Sequence, residues 1–114
     1  MIIPEIVQSK VREIVDGIST AKYDVALSKC AKSRLTVDDI KSVINGYART
    51  PTLSPENAAE FQDAVAVDGA ALPTWSIRTP LWTREEGRSD LTLELTISLD
   101  GEAVAVYLDD LGVL

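Results

Sequence analysis

The chain has 114 residues, 46% of them apolar and 25% charged, with one cysteine, no histidine and a net charge of −7. These values describe an ordinary globular domain and exclude disordered, collagenous and disulfide-stapled classes. Without imidazole there is no Ser-His or Cys-His nucleophile pair and no histidine-bearing zinc site, and one cysteine cannot build a four-thiolate site.

The longest apolar runs fall far short of the ~20 residues of a spanning helix, and the start MIIPEIVQSK lacks a basic-then-apolar leader. The expectation is a soluble, cytoplasmic chain with no membrane partner, and the lone Cys30 fits a reducing compartment. Charge is unevenly spread: residues 1–49 carry eight Lys/Arg against six Asp/Glu, and residues 50–114 carry three against twelve, a net −9. Nucleic acid is a disfavoured partner because phosphate neutralisation needs clustered cations, whereas an acidic half steers basic partners toward itself.

The first predicted element is a helix over about residues 4–18, begun by Pro4 and striped by Ile6, Val7, Val11, Ile14, Val15 and Ile18. Tyr23, Ala26, Leu27, Cys30 and Ala31 continue that period through a second helix, which buries Cys30 as a small hydrophobe. Thr36 is the N-cap of a third, with Asp38 and Asp39 in its first turn, Val37, Ile40, Val43 and Ile44 as its stripe, and Gly46 as its end. The helical part spans residues 1–47, and the proline-bearing residues 48–60 form a connection in which Ser54-Pro55-Glu56 can start one helical turn.

From residue 61 the period changes to 2. Residues 61–67 read as a short strand, followed by the alternation of Trp75, Ile77, Thr79 and Leu81, in which Pro80 requires an edge position or a bulge. Asp100-Gly101 is a type I′ hairpin signal; with those two as the loop, Ile97 faces Val104, Leu95 faces Val106 and Leu93 faces Leu108. Asp90, Asp109 and Asp110 then lie near one end of that hairpin, with Asp109 and Asp110 pointing to opposite faces. The expected whole is a single α+β domain, residues 1–114, in which about three N-terminal helices pack on a curved antiparallel sheet of about four strands.

The segment WTREEGRSD joins two of these strands. It reads as a solvated turn at Glu86-Gly87-Arg88 whose charges guard the sheet edge, or as a recognition surface of Arg84, Glu85, Glu86, Arg88 and Asp90 with Trp82 as aromatic anchor, extended by Asp109 and Asp110. A carboxylate pair could also perform acid–base or glycoside chemistry if its environment split the two pKa values. The acids match no calcium-loop spacing and the six glycines stand far apart, so no metal and no cofactor is expected.

The run TWSIRTPLWTREEGRSDLTLELTI, with YLDDLGVL behind it and a helix ending near AKYD ahead of it, resembles a family of small bacterial proteins known as a domain of unknown function. The resemblance covers most of the chain, with PLWTREEGRSDLTLEL as its most specific part, and it implies a cystatin-like, or nuclear-transport-factor-two-like, α+β cone. That architecture hosts enzymes, ligand pockets and immunity proteins. The preferred expectation is therefore a non-catalytic acidic binding protein, an immunity protein neutralising a basic toxin being one form of it. The alternative is a ligand-binding or weakly catalytic cone with Tyr23, Trp75 or Tyr107 lining a pocket between helices and sheet. A monomer or a homodimer on the sheet's outer face fits either.

Overall fold

A computed structural model describes residues 3–56 and 63–113. Among these residues three helices, α1 (Glu5–Ser19), α2 (Tyr23–Ser28) and α3 (Val37–Tyr47), lie among six strands: β1 (Lys32–Ser33), β2 (Pro51–Thr52), β3 (Asp63–Ala66), β4 (Thr74–Thr83), β5 (Gly87–Asp100) and β6 (Ala103–Val113). They form one mixed, curled sheet in the order β1-β6-β5-β4-β2, with β3 paired to β4 beside β2. The architecture is α+β, as expected, but the sheet is larger than four strands and not purely antiparallel, because β1 runs parallel to β6.

The stripes predicted for α1 and α3 form the inner layer. Val7, Val11, Ile14, Val15 and Ile18 of α1 and Ile40 and Ile44 of α3 are buried in one cluster with Ile77, Leu81, Leu93, Leu95, Ile97 and Leu108 of the sheet. α3 begins as its sequence dictates: the Asp39 N–H donates to Thr36 Oγ1 at 3.1 Å and the Thr36 N–H to Asp39 Oδ2 at 2.8 Å, a reciprocal cap. Its end differs, because the helix runs through Gly46 to Tyr47 and is closed by Ala48 in the left-handed region at φ 58°. Helix α2 is also shorter than its stripe, stopping at Ser28 so that Lys32 and Ser33 can pair with Tyr107 and Leu108. Cys30 is half-buried, which raises its thiol pKa.

Pro80 sits where its missing N–H does least harm. On the outer side of β4, β3 covers residues 75–78 and β2 covers residues 82–83, leaving Pro80 in the gap between them. On the other side the β4–β5 register slips beside Pro80, and three residues of β5, Ser89 to Leu91, oppose Leu81 alone. The Ser89 hydroxyl closes this bulge, donating to Leu81 O at 2.8 Å and accepting from the Leu91 N–H at 3.1 Å.

The β5–β6 hairpin corrects the predicted register. Asp100 pairs with Ala103, so the loop is Gly101-Glu102, and Ile97 faces Val106 rather than Val104. Gly101 alone takes positive φ, 61°, the pattern of a type II′ rather than a I′ turn. The error is two residues, which preserves the face of every side chain, so Leu93, Leu95 and Ile97 are inside as predicted. A second irregularity follows at Asp109: Leu95 faces Leu108, but Glu94 faces Asp110.

Residues 61 and 62 of the predicted strand 61–67 lie outside the described residues. Its remainder is β3, where Asp63–Ala66 pairs with Arg78–Trp75. Among the described residues no helix is long and apolar enough to cross a membrane.

Candidate functional site

Helices cover one face of the sheet, and the opposite, outer face carries the candidate residues. Along β4 and β5 the inner positions are buried, whereas Ser76, Arg78, Asp90, Glu94, Thr96 and Ser98 alternate with them on the outer side. Pairing sets up one charged row across four strands: Asp63 beside Arg78, Arg78 beside Glu94, and Glu94 beside Asp110. Among the described residues only the middle of the row is ion-paired, by Arg78 Nε 3.1 Å from Glu94 Oε1.

The bulge at Asp109 revises the expectation that Asp109 and Asp110 point to opposite faces. Thr96, an outer-face residue, donates its hydroxyl to Asp109 Oδ2 at 2.6 Å, and Asp110 lies opposite outer-face Glu94. Both carboxylates therefore stand on the outer face. Asp90 does not join them: Leu91 pairs with Val113 and Thr92 with Gly112, so Asp90 sits beyond the far end of β6, not across from Asp109. It instead shares a shallow depression of about 290 Å³ with Asp63, Arg78, Arg88 and Thr92. Among the described residues no three acids or thiols converge closely enough to hold a metal ion.

The loop at residues 84–86 is a docked structure rather than a free display of charge. Gly87, at φ 73°, lets β5 turn back against β4. The Glu85 carboxylate accepts from the Thr50 N–H at 2.7 Å and 3.1 Å, and the Arg84 N–H returns a bond to Thr50 O at 2.9 Å. Glu86 Oε2 accepts from the Tyr47 hydroxyl at 3.1 Å, and the same hydroxyl accepts from the Asp90 N–H at 3.3 Å. Burial, with the Glu86 contact, pushes the Tyr47 phenol pKa up. Thus two of the five candidate charges near the loop, Glu85 and Glu86, fasten it to the end of α3 and the start of β2, although all five residues are exposed.

The hydrogen bond from Thr50 holds the Glu85 carboxyl below the usual glutamate range. A depressed folded-state value means the contact's contribution is present above the ordinary carboxyl range and is lost as pH falls through the lowered value. The Thr50 amide resonance is therefore expected to titrate with a midpoint below that of an unperturbed glutamate, and Glu85→Gln to abolish the titration. A midpoint at or above the ordinary value would contradict the clamp.

The aromatic candidates separate. Trp82 is half-buried, with its ring over Gly87 so that a β-carbon there would meet it at 3.6 Å, and this limits it as an anchor. Trp75 is only 9% exposed and Tyr23 packs against the same inner core. Tyr107 is on the other side of the sheet, 39% exposed, lining a notch of about 590 Å³ with Lys32, Arg34 and Asp109. The three rings do not line one pocket, and the space between helices and sheet is filled mainly by Val, Ile and Leu side chains.

Sequence reasoning places Tyr47 on a helix stripe with its ring buried and its hydroxyl hydrogen-bonded, but it missed that the partner is the loop, and it missed Thr50, the other residue that receives it. It also missed Arg12, whose guanidinium holds Ser54 O at 2.9 Å and Pro55 O at 3.1 Å. No local pattern marks such long-range partners, whereas the bulge at Asp109 has one: the apolar phase moves from Val104, Val106 and Leu108 to Leu111 and Val113.

No curated protein and no solved structure matches the chain. A family model does match, over residues 11–114, and the chain belongs to that family, Domain of unknown function (DUF7668).

Proposed function

We propose that this chain is a non-catalytic binding protein that presents the outer face of its sheet to a basic protein partner. The observation that carries the reading is the charge of that face across β3 to β6: Asp63, Asp90, Glu94, Asp109 and Asp110 stand against Arg78 and Arg88, while Lys32 and Arg34 lie at its β1 edge beside Tyr107. A face left bare by the helices, acidic and carrying exposed Tyr107, combines electrostatic steering with an aromatic contact. A basic toxin held inactive by this chain in the cytoplasm is one partner with that chemistry. Helices on one side of a curled sheet also support the cystatin-like cone, with the outer, not the inner, surface as the working one.

A decalysine peptide serves as the probe. Its amide-shift map is expected to fall on Asp90, Glu94, Tyr107 and Asp110, and its affinity to drop as salt rises. The double variant Asp90→Lys, Asp110→Lys is expected to weaken it by about tenfold or more. A map confined to helix acids such as Glu5, Glu13 and Asp38, or an affinity unchanged in the double variant, would remove the proposal.

A further inference from the structure

Among the described residues, strand β3 is hydrogen-bonded on one side only. The Val67 N–H donates to Thr74 O at 2.9 Å, and the register places Val65 opposite Ser76. Backbone groups alternate sides along an antiparallel strand, so Val65 and Val67 direct theirs to β4, whereas Ala64 and Ala66 aim N–H and C=O away from it. Among the described residues no strand takes up that side.

The rest of the sheet guards its edges. β6 is partly covered by β1 and carries a bulge with Asp109 and Asp110, and β4 places Pro80 in the gap of its edge. Of these devices β3 has only a charge at its first residue, Asp63. Residues 64–67 read AVAV, without charge, proline or bulge, and Val65 and Val67 are 58% and 42% exposed. Two copies of a chain with net charge −7 repel one another over most of their surface, and this edge is a place where uncharged segments can meet.

We infer that the chain self-associates through antiparallel β3–β3 pairing about a two-fold axis at Val65. Antiparallel pairing of two identical strands is two-fold symmetric whatever their sequence, and about Val65 it brings together the small, uncharged Ala64 and Ala66. In this register Ala64 of one copy faces Ala66 of the other, so the outward donors and acceptors satisfy each other. The two Val65 side chains meet at the close, non-hydrogen-bonded position. Asp63 faces Val67 and not a second carboxylate. The contact is small, so the dimer is weak and concentration-dependent, and it leaves the acidic outer face of both copies available.

Sedimentation equilibrium tests this directly. The mass is expected to rise from 12.3 kDa toward twice that value as concentration approaches about 1 mM. Ala66→Pro removes only an N–H that points away from β4; it is expected to stay monomeric with an unchanged circular dichroism spectrum. In a Cys30→Ala background, Val65→Cys is expected to cross-link under mild oxidation, since the paired Cα atoms would be about 4.5 Å apart, within disulfide reach. Asp63→Cys is expected not to. A monomer throughout, a dimer that Ala66→Pro leaves intact, or equal cross-linking at both positions would overturn the inference. Decalysine binding by Ala66→Pro reports on the outer face separately.

Discussion

Leu95→Ala is expected to lower the unfolding free energy by about 2–5 kcal/mol, moving the urea midpoint down by about 1–3 M. Leu95 is fully buried on β5, the strand flanked by both other long strands, between Ile77 on one neighbour and Leu108 on the other. Both flanking side chains are fixed in register and pack under the helices, so the site cannot collapse onto the lost methyl groups without distorting the ladder. A loss of that size is a large part of the ~5–15 kcal/mol that holds a small domain together. Val113→Ala, at a β6 position 61% exposed, is expected to change stability by no more than about 0.5 kcal/mol. Equal losses at the two positions would show that Leu95 does not occupy the centre of the core.

The same strand shows how far periodicity reaches. Alternation told which β5 side chains face inward because it depends only on parity, and an error of two residues at the turn leaves parity intact. It could not choose between Asp100-Gly101 and Gly101-Glu102 as the loop, since a positive φ at Gly101 serves either turn. α1 and α3 were legible because a long apolar stripe and a Thr-Asp cap are local features. β1 was not, because two residues carry no period, and Lys32 and Ser33 passed for the polar end of helix α2. The loop acids marked a conspicuous site, but their tasks were hidden: the partners of Glu86 and Glu85, Tyr47 and Thr50, lie 39 and 35 residues away. Charge counting found the acidic half, and strand pairing decided which acids share a face.

Arg12→Ala is the second large effect, expected to cost about 1–3 kcal/mol, since hydrogen bonds from a charged donor are worth more than neutral ones but this side chain is partly solvated. One guanidinium makes three contacts: Ser54 O and Pro55 O on the connection after β2, and Asp16 Oδ2 one turn along α1 at 3.5 Å. It thereby ties the connection to the helix that covers the sheet, and Ser54 is buried under it. Removing the fork leaves those carbonyls to find water and leaves Asp16, whose Oδ1 is already buried without a partner, without its guanidinium. Arg12→Lys keeps the charge near Asp16 but offers a point donor where two carbonyls are held at once, so it is expected to recover less than half of the loss. Urea denaturation of both variants, with amide exchange followed on residues 51–56, reads the outcome. If lysine restores full stability, the attraction to Asp16 is the whole effect and the connection is held by something else; if alanine costs nothing, the strap is not held by Arg12 at all.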